Sequence, residues 1–163
     1  MNQYLLIATL LSFIGLGYGC KKDNPEPSSG VPKYEFRMDG NLDIIARDGK
    51  VKASIDIEIV EKEDEVMRGL KYRDTMDANQ GMLFIFATPD YYDFWMQDTY
   101  LPLDMLFISA DKTIFQIHEN AQPFSEERIS PTQPNSYVLE LNAGIAKKMN
   151  IQTGDKISWK NLP

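Results

Sequence analysis

The chain has 163 residues, 43% of them hydrophobic, and a formal net charge of −7. That length supports one domain with its own core and is short for two. The acidic balance argues against a nucleic-acid partner, which needs a lysine and arginine excess. One cysteine, Cys20, and one histidine, His118, exclude an internal disulfide, zinc sites of the Cys/His type, Cys–His nucleophiles and any Ser–His triad lacking His118.

Leu5–Gly17 is apolar and uncharged. It is shorter than the roughly 20 residues of a membrane span and suits the core of a secretory signal. The run ends at Gly19-Cys20, the place where a bacterial lipoprotein signal puts its lipidated cysteine. Residues 1–19 are therefore expected to be a signal peptide and Cys20 a lipidation site. Pro25, Pro27, Ser28, Ser29, Gly30 and Pro32 follow, without apolar periodicity. Residues 20–33 are expected to be a disordered tether. The expected location is the cell envelope, with the domain lipid-anchored to a bacterial membrane and facing the periplasm or the cell surface.

The domain is expected over 34–163. One strand is placed near Leu42–Ala46, and Asp48-Gly49 supplies the positive φ of a hairpin turn. In Val51–Val60, Val51, Ala53, Ile55, Ile57 and Ile59 alternate with Lys52, Ser54, Asp56 and Glu58, which predicts a strand with one wet face. Glu61–Tyr72 changes to helical spacing, with Val66, Met67 and Leu70 as the apolar stripe and Glu61, Glu63 and Asp64 at the N-terminal end.

Gly81–Asp104 is the densest stretch of apolar and aromatic residues. Met82–Phe86 is apolar on both faces and is expected to be buried on both. After a turn at Thr88-Pro89-Asp90, a strand is expected with Phe94 and Met96 on one face and Trp95 and Gln97 on the other. A third begins near Leu101, with Leu103, Met105 and Phe107 facing away from Asp104, Leu106 and Ile108. Thr113–Asn120 alternates again, and the proline-containing segment Gln122–Asn135 is a long loop. Tyr137–Leu141 is a strand, Ala143–Met149 a short helix with Ala146 and Met149 inward, and Lys156–Lys160 a last strand burying Ile157 and Trp159. The fold expected is mainly β, a single antiparallel sandwich or flattened barrel with two short helices.

Asp104 is a charge on an otherwise apolar strand face, so it must be paired, hydrogen-bonded or functional. Arg73 or Arg68 is the expected partner; a structural salt bridge or a cap on backbone N–H groups is the plainer alternative. Glu140 poses the same question beside Val138 and Ser136. Convergence of the two in one cleft would permit paired acid and base chemistry. Trp95, beside Gln97, Asp98 and Thr99, is either core or a surface on which a sugar or other flat ligand stacks. Met67, Met76, Met82, Met96 and Met105 with His118 raise a thioether copper site, but methionine on core faces is ordinary filler. No metal or other cofactor is assigned.

Several segments together resemble the family called domain of unknown function 192. They are Gly69-Leu70-Lys71-Tyr72-Arg73, Gly81-Met82-Leu83-Phe84, Phe94-Trp95-Met96-Gln97-Asp98-Thr99, Pro102-Leu103-Asp104, Tyr137-Val138-Leu139-Glu140-Leu141, Gly144 and Gly154-Asp155. The resemblance implies one mainly β domain of sandwich type, often exported, with no established activity. Its motif residues fall on Arg73, Trp95, Met96, Thr99, Asp104 and Glu140. Asp98 stands where the family usually has asparagine, and Lys71 where it usually has methionine.

The leading expectation is a membrane-tethered binding or accessory module. Its recognition surface comprises Arg73, Trp95, Met96, Asp98, Thr99, Asp104 and Glu140, and it takes a small anionic or sugar-like ligand. A hydrolase-like enzyme using Asp104 and Glu140 and a purely structural envelope protein are the rivals.

Overall fold

The computed structural model describes residues 35–162. The expected signal peptide, Cys20 and the tether lie outside the described residues. Among these residues the order is β1 (Gly40–Ile45), β2 (Val51–Val60), α1 (Glu63–Arg68), β3 (Gln80–Asp90), β4 (Leu103–Ile108), β5 (Ile114–Ala121), β6 (Asn135–Asn142), α2 (Ile145–Lys148) and β7 (Lys156–Asn161).

The turn at Arg47–Gly49 closes through Ala46 N–H to the Lys50 carbonyl at 2.8 Å, with Gly49 at φ 85°, and β1 and β2 pair antiparallel. β2 and β3 run parallel, Asp56 opposite Gln80 and Val60 opposite Phe84. A parallel pair needs a crossover; here it is α1 and the loop to Asn79. Gly81 permits the close approach of β3 to β6, since a Cβ there would lie 2.8 Å from the Glu140 carbonyl oxygen. The whole forms one seven-stranded sheet in the order β5-β4-β6-β3-β2-β1-β7.

Besides the expected turn at Thr88-Pro89-Asp90, which is instead the end of β3, two expectations are corrected. The described residues form one mixed sheet, not an antiparallel sandwich, because the helical connection returns the chain to lie parallel beside β2. The sheet curls until its edge strands touch at one corner, where Thr113 bridges Lys156 and Gly154 N–H reaches the Ile114 carbonyl at 2.7 Å, but the ladder does not close. Second, Phe94–Gln97 is no strand of this sheet. It makes an isolated bridge from Phe94 to Ile129, and Met96 N–H donates to the Ser125 carbonyl at 2.9 Å.

Side-chain alternation across the pleat gives two cores, one on each face. Inside the curl, Leu42, Ile44, Ile55, Ile57, Leu83, Leu106, Ile108, Leu139 and Ile157 pack with Ile145 and Ala146 of α2. On the outer face Val60, Met82, Phe84, Met105, Phe107 and Val138 pack beneath Leu70 of the crossover and Met96 and Ile129 of the long loops. This second core buries the end of the strand face that looked wet: Lys52, Ser54 and Asp56 are not buried, but Glu58 and Val60 are. Within α1 no residue is fully buried, and Met67, expected on the apolar stripe, is 70% exposed. The helix is a single short strap, so Leu70 beyond its end makes the deep contact.

Candidate functional site

On the outer face the crossover and the Tyr91–Tyr100 segment leave a cleft of about 400 Å³. That is within the range of small-ligand pockets. Its apolar walls come from Phe84 and Phe86 of β3 and from Tyr92, Phe94 and Trp95, and Glu140 of β6 lies among them. Arg68 and Lys71 reach it from the crossover, Asp93 and Arg128 from the loops. The rings hold one another: Phe86 stacks on Tyr92 at 3.7 Å between centroids, and Phe94 meets Phe84 edge-on at 5.0 Å. Such geometries suit aromatic quadrupoles.

The bridge between Phe94 and Ile129 sets Arg128 beside this wall. The guanidinium lies 5.9 Å from the Trp95 ring centroid and donates to the Asp93 carboxylate at 3.3 Å. Lys71 stands 5.6 Å from the same ring. Trp95 is 44% exposed, so it forms the mouth and not the core. Tyr91 and Met67 are also exposed beside the cleft.

Glu140 is buried and accepts no hydrogen bond from any described group, although its side chain lines the cleft. Burial pushes its carboxyl up to about 8, while the nearby Arg73 charge pulls the other way. The burial effect wins because desolvation penalises the charged form. Arg73 cannot neutralise it fully: its Nη1 and Nη2 are engaged by Glu58, the second contact at 2.6 Å. This pair is buried on both sides and shows a bidentate fork. Arg73 Nε has no partner among the described residues.

The other residues singled out in the sequence divide clearly. Thr99 is buried and lines the cleft. Asp98, at φ 57°, accepts from the Tyr72 hydroxyl at 3.0 Å, and its carbonyl accepts Tyr72 N–H at 2.9 Å; it ties the Trp95 segment to the segment carrying Lys71. Met96 is wholly buried beneath the cleft, as are Met82 and Met105. Asp104 belongs to the opposite face of the sheet. Its two oxygens accept N–H groups of Asn120 and Ala146, both at 2.9 Å, tying β5 and α2 to β4. Of the readings offered for Asp104, the cap on backbone N–H groups is the one found, and it is double. In the β4–β6 ladder Asp104 opposes Leu141 while Glu140 opposes Met105, so alternation sends the two carboxylates to different faces.

Glu58, Phe84, Phe86, Tyr92, Phe94, Arg68 and Arg128 were not marked as site residues by sequence reasoning. Val60, apolar on the same side as Glu58, signalled that this face becomes buried. Nothing local to the Pro123–Pro134 loop signalled Arg128.

The fold and cleft define a single-sheet β domain with an aromatic-walled pocket on its outer face. The chain belongs to the DUF192 family, described as "Uncharacterized ACR", whose match spans residues 44–159. Solved structures similar to it include the following two. One, from Sinorhizobium meliloti and named only as a candidate transcription regulator, is 39% identical with a TM-score of 0.72, covering 80% of this chain and 98% of its own. The other, a protein of unknown function from Novosphingobium aromaticivorans, is 30% identical with a TM-score of 0.69, covering 82% of this chain and 90% of its own. No curated protein matches.

Proposed function

We propose that the domain is a ligand-binding module of the cell envelope, tethered through a lipid on Cys20, and that a small ring-bearing molecule, anionic or sugar-like, occupies the outer-face cleft. The observation that carries this reading is the Glu140 carboxyl, buried and without a hydrogen bond from any described residue, in the wall of an aromatic pocket. A buried polar group without a partner is costly, and a bound molecule would supply one. Recognition is assigned to Trp95, Thr99 and Glu140, with Lys71 and Arg128 at the mouth. Arg73, Asp98 and Met96 support that wall from behind, and Asp104 stabilises the opposite face.

Hydrolysis by Asp104 and Glu140 together is disfavoured because the sheet separates them. Regulation through DNA, suggested by the name of the Sinorhizobium protein, finds little support in a chain of net charge −7.

The test is a thermal-shift screen of the protein against glycans, sugar acids and aromatic acids, since a ligand selective for the native state raises its melting temperature. Hits should quench Trp95 fluorescence and vanish in Trp95→Ala. A silent screen, or hits indifferent to Trp95, would remove the binding reading in favour of a structural role. For the anchor, Cys20→Ala should move the protein from the membrane fraction to the soluble one; retention would refute lipidation at that position.

A further inference from the structure

Building on the binding reading, we infer that the cleft selects a planar ring carrying an anionic group at its outer end and a neutral hydroxyl at its inner end. Three features of the cleft, each independent of the others, lead there.

The mouth is cationic. Lys71 and Arg128 both lie over the Trp95 ring, at 5.6 and 5.9 Å, and among the described lining residues the rim carboxylate is Asp93, paired with Arg128. A cationic ligand group would have to displace these side chains from the ring face and meet their repulsion. An anion meets attraction, and stacking beneath it leaves Trp95 in use.

The walls are flat and apolar. The Phe86–Tyr92 pair, nearly parallel at 10°, and the Phe84–Phe94 contact leave little freedom for the rings to rearrange. Planar rings lose little entropy on entering such a pocket and gain stacked contact.

The inner end is the buried Glu140 carboxyl, which burial shifts toward its neutral form. Arg73 lowers its affinity for the proton, but burial dominates. The flanking residues on β3 and β4 are Met82 and Met105, which bring no charge. Glu58 is occupied by Arg73, Asp98 by Tyr72, and Arg128 by Asp93; Arg68 and Lys71 are the other cations in the cleft lining. A neutral carboxyl offers one O–H donor and a carbonyl acceptor. A hydroxyl matches both roles, whereas an inner carboxylate would repel Glu140 whenever it ionised.

The experiment is titration calorimetry on the full chain with 4-(hydroxymethyl)benzoate, whose hydroxyl does not titrate in the range used. The comparison ligands are 4-methylbenzoate, 1,4-benzenedimethanol and glucuronate. The first should bind at least tenfold more tightly than the two that lack one end. Its affinity should fall as pH rises through the Glu140 titration, because the ionised carboxylate repels the anionic ligand. Glu140→Gln, which cannot ionise, should lose the pH dependence. Glu140→Leu should lose about tenfold. Lys71→Glu with Arg128→Glu, at the solvated mouth, should also lose tenfold or more and reverse the salt dependence. Equal binding of 4-methylbenzoate, or no pH dependence in the parent protein, overturns the inference. Binding of glucuronate alone overturns it while leaving the cleft a ligand site; silence of all four ligands together with a silent thermal-shift screen removes both.

Discussion

Glu140→Gln should change how stability depends on pH, and the sign follows from the cleft. The carboxyl titrates near 4.5 in an unfolded chain and at about 8 in the folded one. Below 4.5 both states hold the proton, so its burial makes no pH-dependent difference. Between 4.5 and 8 the unfolded chain releases the proton and the folded one retains it. Stability therefore falls as pH rises, by up to 1.4 kcal/mol per unit. The fall ends above the folded value, after a loss of about 5 kcal/mol at most. Glutamine fills the same space without titrating. Urea unfolding of both proteins from pH 4 to 9 isolates the effect, because every other group cancels in the difference. Glu140→Gln should gain steadily on the parent across this window, and the gain should level off above pH 8. Parallel stability curves would refute the account of Glu140 as a buried, unpaired acid.

Asp104→Asn should cost about 2–3 kcal/mol in chemical denaturation, since one backbone N–H then faces an amide NH₂ instead of a carboxylate oxygen. It should leave ligand affinity unchanged, because Asp104 lies across the sheet from the cleft; a selective loss of binding would contradict that placement. Arg73→Met should cost about 3–5 kcal/mol by stranding Glu58, and adding Glu58→Leu should restore much of it; the single variant should also raise the Glu140 carboxyl further, read by NMR titration. Met96→Ala should lower stability by about 2–5 kcal/mol through a cavity under the cleft wall, with thermal unfolding as the check. Gly81→Ala should cost about 1–3 kcal/mol from overpacking against the Glu140 carbonyl; an unchanged melting temperature would show that β3 and β6 can part without cost.

Much of the strand content was legible because alternation is a local property. β2 begins and ends where its pattern does, and β4 sorts Asp104 from Met105 as the pleat requires. The Phe94–Gln97 error has a physical origin. Phe94 and Met96 do turn inward while Trp95 turns out, yet a ladder needs a neighbouring strand, and here only the Ile129 bridge supplies pairing. The helix between β2 and β3 was visible, and it carried the parallel pairing that the antiparallel expectation missed. Of the residues that line the cleft, Trp95 and Glu140 were singled out from residue type and position and Thr99 through the family resemblance. Arg128 and the walls Phe86 and Tyr92 were not, because nothing in their own segments shows which surface they will meet.

From sequence alone came the strands, their inward and outward faces, the family likeness and the short list of buried polar residues, because backbone period and hydrophobic pattern act within one segment. Tertiary structure decided how those residues were shared between two faces. Asp104 and Glu140 are carried on adjacent strands of one sheet, and a register in which Glu140 stands opposite Met105 sends one carboxylate to cap α2 and the other into the aromatic cleft. Register is fixed by the burial of every strand at once, so it cannot be read from any single stretch of the chain.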